Sequence, residues 1–184
     1  MTPAANDAVP SRAEVAHLLL DAGAVRFGDF TLASGKRSDF YIDVKRAWPD
    51  PQRLDLLARA LAARVGKAER LAGMDLGAVP LVVATALRAG RPYVVIRKKP
   101  KEHGTRQRFE GEIPNGAEVL LIEDVSTTGG SAVDSVEVIR SAGGRVDRAL
   151  VVIDREEGAV ERLQSVGVRL EPLCTITDLR SSRR

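Results

Sequence analysis

Apolar and polar positions fall into two spacings along this chain, and the switches between them mark its elements. Ser11, Arg12, Ala13 and Glu14 form a capping-box pattern, and Val15, Leu18 and Leu19 follow at helical spacing, which predicts a first helix ending near Gly23. Phe30–Leu32 and Phe40–Val44 read as two short strands joined by residues 33–39. Asp50 before Pro51 is a cap followed by a first-turn proline; Leu54, Leu57, Ala58, Leu61 and Val65 then make one apolar face, stopped by Gly66. Beyond residue 70 strands alternate with helices. Strands are predicted at 71–74, 93–96, 120–122, 149–153 and 168–173, and helices at 80–89, 131–141 and 157–165. This alternation predicts an α/β fold: a mostly parallel central sheet flanked by helices. Residues 1–184 read as a single domain, with a small N-terminal subdomain at about 11–50 and an α/β core at about 51–175. Residues 1–10 and the polar tail from Arg180 to Arg184 are expected to be loosely ordered.

Composition narrows the chemistry. Aromatic residues are 4% of the chain against 44% hydrophobic residues, so the core must be built from Val, Leu, Ile and Ala. The single Cys174 excludes an internal disulfide and a cysteine zinc cluster, and reads as a small buried apolar residue. His17 and His103 are too few for a histidine-rich metal centre, and His17 reads as structural. No apolar run is long enough to span a membrane, and the first residues lack the pattern of a signal peptide, so a cytoplasmic protein is expected. The net charge of +3 suits anionic ligands without arguing for nucleic acid.

The run from Val119 to Ser131 carries the clearest chemical signal. An apolar strand is closed by Glu123 and Asp124; Val125, Ser126, Thr127, Thr128, Gly129, Gly130 and Ser131 follow, and a helix pattern begins. Ligands of open α/β sheets bind beyond the carboxyl ends of the strands. A hydroxyl- and glycine-rich loop that opens a helix offers free backbone N–H groups to a phosphate. The two carboxylates repel that phosphate, so they suit what is attached to it: sugar hydroxyls or a hydrated metal ion. Together these residues read as a site for a sugar phosphate. A Walker loop is excluded, because no Gly-Lys-Ser/Thr follows at the required spacing.

A second segment, Arg97 to Gly111, holds six Lys or Arg residues in the twelve positions 97–108 and starts at the carboxyl end of a predicted strand. Pro100 and Gly104 argue against a helix. A long irregular loop in a compact domain commonly serves as a lid or binding loop, and this one suits an anion such as pyrophosphate. A solvated basic hairpin is the alternative reading from charge alone.

The Glu123–Ser131 run resembles the ribose-phosphate motif of type I phosphoribosyltransferases. Arg97, Lys98, Lys101, His103 and Gly104 resemble the mobile catalytic loop of the orotate phosphoribosyltransferase family. Three further segments are similar to that family in the same order: Phe30–Gly35 to its N-terminal substrate loop, Gly77–Leu81 to its pyrophosphate-side loop, and Ile153–Glu156 to the strand end carrying its orotate-binding arginine. The resemblance implies transfer of a phosphoribosyl group from 5-phosphoribosyl 1-pyrophosphate (PRPP), bound with Mg²⁺, to orotate, giving orotidine 5′-monophosphate and pyrophosphate. It implies a 5′-phosphate cradle at Val125–Ser131 and ribose hydroxyls on Glu123 and Asp124. It also implies Arg97, Lys98, Lys101 and His103 on the pyrophosphate, with Lys101, His103 and Asp124 as the catalytic set. Thr127 and Arg155 would face orotate, the guanidinium suiting its carboxylate. Tyr41 is a candidate to pack on the pyrimidine, with subdomain core as the alternative. Mg²⁺ would be held by PRPP and water rather than directly by the chain. A homodimer whose lid reaches the neighbouring site is implied, with no nucleic-acid or membrane partner.

Three positions depart from the family. A lysine that some members carry before the N-terminal Ser-Gly is Ala33, with Lys36 nearby; a lysine of the pyrophosphate loop is Gly77; and the leading acid is Glu123 rather than Asp. Two rival functions share the sugar-phosphate motif: a phosphoribosyltransferase for a purine or uracil, which has no need of Arg155, and a noncatalytic PRPP sensor that binds nucleic acid.

Overall fold

The expected capping box opens the first helix in the computed structural model, which describes residues 8–31, 35, 37–99 and 107–183. The Glu14 N–H donates to Ser11 Oγ at 3.2 Å, and the Ser11 N–H donates back to the Glu14 carboxylate at 2.8 Å. Helix α1 (Arg12–Asp21) buries Val15, Ala16 and Leu19. Strands β1 (Val25–Thr31) and β2 (Arg37–Ile42) pair antiparallel as a separate two-stranded sheet. Both differ from the expected bounds. Val25 pairs with Ile42, so β1 starts five residues before Phe30, and Val44 leaves β2 for a single 3₁₀ turn (Val44–Arg46) that buries it. Helix α2 (Pro51–Ala62) starts at Asp50, whose Oδ1 accepts the N–H groups of Gln52 and Arg53 at 2.9 and 3.0 Å.

The main sheet follows: β3 (Arg70–Met74), α3 (Val79–Ala89), β4 (Tyr93–Ile96), β5 (Phe109–Glu110), β6 (Val119–Ser126), α4 (Gly130–Ser141), β7 (Arg148–Asp154), α5 (Ala159–Ser165), β8 (Arg169–Thr175) and α6 (Ile176–Ser181). Its order is β5-β4-β3-β6-β7-β8. Every pairing is parallel except β4 with β5, where the chain returns from the basic segment and pairs Ile96 with Phe109. That short edge strand was not foreseen; two residues show no period.

Alternate residues of each central strand enter different cores, as a sheet covered on both faces requires. Leu120, Ile122, Leu150 and Val152 pack with Leu19, Leu57 and Leu61, whereas Leu121, Ala149 and Val151 pack with Ile139 and Leu163. Cys174 is fully buried as expected, its thiol donating to the Val152 carbonyl at 3.4 Å, and burial pushes that thiol up to about 12. His17 is exposed on α1.

The C-terminal segment corrects the expectation of a frayed tail. Thr175 and Asp178 make a second capping box, and Ile176 and Leu179 join the core that contains Val15 and Leu19. Arg180 binds Asp39 through both carboxylate oxygens at 2.9 and 2.7 Å, and Arg12 binds Asp178 at 2.8 Å. No helix among the described residues is long and apolar enough to cross a membrane.

Candidate active site

The acid pair lies inside β6 rather than beyond its end, because the strand continues to Ser126. Glu123 is only 5% exposed, and its Oε1 is buried without a hydrogen-bond partner. Burial, and then the adjacent charge of Asp124, push its carboxyl up to about 8. Asp124 is also raised, chiefly by burial; the N–H of Val125, which donates to its Oδ1 at 2.9 Å, and the positive charge of Lys45 pull the other way.

Lys45 went unnoticed in the sequence. It follows the predicted strand at Phe40–Val44, and only the 3₁₀ turn brings it to Asp43, with Nζ 3.1 Å from Oδ1. Asp43, chiefly, and then Asp124 and Tyr41 raise the lysine's pKa against its own desolvation.

Beyond β6 the chain turns at Gly129, left-handed at φ +73°, and a Cβ there would sit 3.2 Å from the Ala159 Cα. Helix α4 begins at once, with no side-chain cap on its first turn. The first N–H groups of a helix lack intrahelical partners, so this terminus presents donors and a positive dipole end to an anion. Ser126 Oγ, on a residue 4% exposed, likewise has no partner, while Thr128 and Ser131 are exposed beside the turn.

Two other strand ends converge here. The segment after β3 lies on Asp124: a Cβ at Gly77 would be 2.5 Å from Asp124 Oδ2. The same segment accepts the Lys98 N–H on Asp75 Oδ1 at 2.9 Å, which ties it to the start of the basic loop. Arg97 pairs with Glu110 at 3.2 Å, and its N–H donates to the Arg108 carbonyl at 2.7 Å. Arg108 in turn grips Asp134 on α4 at 2.7 and 2.6 Å. Lys101, His103, Ala33 and Lys36 lie outside the described residues.

On the opposite side, the Arg155 N–H donates to the Ser126 carbonyl at 3.0 Å, so β7 delivers this arginine beside the start of the hydroxyl loop. Its guanidinium lies 4.7 Å from the Phe40 ring centroid and pairs with Glu157. Tyr41 is 39% exposed on β2, tilted against Phe30 at 5.8 Å with the Arg26 guanidinium 5.3 Å from its ring.

The site thus combines a buried carboxylate, its half-buried neighbour, an uncapped helix terminus and an arginine tied to the same loop. Comparison with known proteins is consistent with this arrangement. The family described as "Phosphoribosyl transferase domain" matches residues 51–171. Orotate phosphoribosyltransferase from Methanopyrus kandleri is 47% identical over 175 residues, covering 95% of each chain. The crystal structure of orotate phosphoribosyltransferase from Aeropyrum pernix superposes with a TM-score of 0.82 at 38% identity, covering 91% of this chain and 96% of that one. The Mycobacterium tuberculosis orotate phosphoribosyltransferase crystallised with PRPP is 32% identical at a TM-score of 0.77, covering 93% and 99%. On these matches the chain belongs to the orotate phosphoribosyltransferase family, within the phosphoribosyltransferases that share this domain.

Proposed function

We propose that the chain transfers the phosphoribosyl group of PRPP to orotate, releasing pyrophosphate and forming orotidine 5′-monophosphate for pyrimidine biosynthesis. The observation that carries this reading is the buried Glu123 and half-buried Asp124 running directly into the uncapped Gly129 turn, with Arg155 hydrogen-bonded to Ser126 in the same loop.

Each group has a physical task. The first-turn N–H groups of α4, with the hydroxyls of Ser126, Thr127, Thr128 and Ser131, hold the 5′-phosphate. Glu123 and Asp124 hold the ribose hydroxyls, and the negative charge of Asp124 stabilises the positive character that grows at the anomeric carbon as pyrophosphate departs. Arg97, Lys98, Lys101 and His103 face the negative charge accumulating on the leaving group. Arg155 takes the orotate carboxylate, with Thr127 and Tyr41 as further neighbours of the pyrimidine. Mg²⁺ would be held mainly by PRPP and water, with Glu123 and Asp124 the nearest acidic side chains. The nearby donors are hard carboxylate oxygens, the chemistry that such a cation and its waters prefer; when bound, it neutralises the diphosphate charge.

The whole chain is read as one catalytic domain acting in the cytoplasm as a homodimer, the basic segment of each subunit serving its neighbour's site. One of the two cores holds Val15 and Phe40 of the N-terminal part together with Leu57 and Leu150, which supports the one-domain reading.

The decisive experiment follows orotate absorbance with PRPP and Mg²⁺, alongside uracil and purine bases. Losing a buried charged contact costs about 3 kcal/mol, roughly two decades in rate. Orotate should therefore be used at least about a hundredfold more efficiently than uracil. Equal rates with the two bases would reject the assignment.

A further inference from the structure

Arg155 arrives at the site unusually constrained. Its backbone is fixed to Ser126, and the next residue, Glu156, holds a left-handed φ of +59°. That conformation is costly for a residue with a side chain and persists only when its surroundings enforce it. Here they do: the Glu156 N–H donates to Asp154 Oδ1 at 3.0 Å, and the Glu156 carboxylate accepts from Thr177 Oγ1 at 2.6 Å and from the Thr177 N–H at 3.2 Å. The side chain is fixed as well. Phe40, 7% exposed, lies beneath the guanidinium, and Arg180 also approaches that ring at 5.6 Å while bound to Asp39. Glu157 Oε1 then accepts from both Nε at 2.8 Å and Nη2 at 2.7 Å. Only 11% of the Arg155 side chain remains exposed.

A guanidinium has two edges that can meet a planar carboxylate with parallel hydrogen bonds, one through Nε and one through its two Nη groups. Glu157 occupies the first. Nη2 carries a second hydrogen, and among the described residues no hydrogen bond reaches Nη1. We propose that Glu157 is a positioning residue for the acceptor base: by holding the Nε edge of Arg155, with Phe40 against its face, it leaves the Nη1–Nη2 edge as the surface that receives a planar carboxylate. The proposal rests on the reading of Arg155 as the carboxylate-binding group. It also gives Glu157 a second consequence. The pair is close to neutral before substrate arrives, so discrimination comes from the direction of two N–H groups rather than from loose positive charge.

The test is steady-state kinetics of Glu157→Ala, Glu157→Gln and Arg155→Ala, each with orotate and PRPP varied separately. Glu157→Ala should raise KM for orotate by about tenfold while KM for PRPP changes less than about twofold. Glu157→Gln keeps an oxygen that accepts from Nε, so its orotate KM should stay within about threefold of wild type. An unchanged orotate KM in Glu157→Ala, where Arg155→Ala raises it strongly, overturns the role of Glu157 and leaves the enzyme assignment standing. A lowered orotate KM overturns it too, because Glu157 would then compete with substrate. So does a rise in both KM values together, or a Glu157→Gln enzyme as impaired as Glu157→Ala. An Arg155→Ala enzyme with unchanged orotate KM removes the carboxylate-binding reading and the proposal with it.

Discussion

Gly77 presses on Asp124: a Cβ at residue 77 would lie 2.5 Å from Oδ2, 2.8 Å from Cγ and 2.9 Å from Oδ1 of that carboxylate. The missing lysine of the pyrophosphate-side loop therefore coincides with a steric requirement, since the acid stands where a side chain would project. Gly77→Ala should turn Asp124 away from the ribose. Misplacement of about an ångström can cost up to about a hundredfold, so kcat/KM for PRPP should drop by about ten- to a hundredfold. Thermal unfolding, measured in parallel, should move little. Kinetics indistinguishable from wild type would mean that Asp124 does not need its present position.

Glu123 should give the unliganded protein a distinctive pH dependence. Its carboxyl has an ordinary value of 4.5 and is pushed up to about 8 in the folded chain by burial and then by Asp124. The folded state thus binds this proton more tightly than the unfolded state. Stability from this group is fully present below the unfolded value and is lost as pH climbs toward the folded one. Between about pH 5 and about pH 8 the unfolding midpoint of wild type should fall relative to that of Glu123→Gln, which cannot ionise. Parallel curves for the two proteins would show that the carboxyl is not raised.

The regular part of this architecture was legible because buried strands and capped helices leave periodic signals. The Ser11 box, the Asp50–Pro51 start and the strand at Tyr93–Ile96 all form where the pattern puts them. The bounds of β6 were less legible: an acid normally ends an apolar strand, but Glu123 stays inside it, pairing with Val151 of β7. Lys45 was hidden because only a 3₁₀ turn, invisible to a period-2 reading, brings it near Asp124. Glu157 was hidden for another reason: its partner is two residues away, across the left-handed Glu156, a conformation that no periodic pattern signals. The last helix was missed because the Thr175–Asp178 box overlaps the end of β8, and a tail rich in Arg and Ser reads as solvent-exposed.

That last helix should matter for stability. Leu179 is fully buried in the core shared with Val15 and Leu19. Truncating a buried leucine typically costs about 2–5 kcal/mol through lost burial and the cavity left behind. Leu179→Ala should therefore lower the denaturant midpoint by a corresponding amount, with the slope of the transition unchanged. A shift smaller than about 1 kcal/mol would mean that α6 frays in solution, as its composition alone suggested.

The shared-site dimer can be tested by mixing two inactive enzymes. Asp124→Asn removes the charge proposed to hold the ribose from one parent, and Lys101→Ala removes a cation of the basic segment from the other. If each site takes its acid pair from one subunit and its basic segment from the partner, a mixed dimer rebuilds one intact site out of two. Random reassortment makes half of the dimers mixed, so activity should recover to roughly a quarter of wild type for a symmetric two-fold assembly. If the basic segment serves its own subunit, every site retains one defect whatever the pairing, and mixing restores nothing. A tagged chain that co-purifies with its untagged partner confirms exchange. Recovery near zero under that condition would reject the shared site while leaving the transferase reaction intact, because either arrangement gives PRPP both its acid pair and its cations.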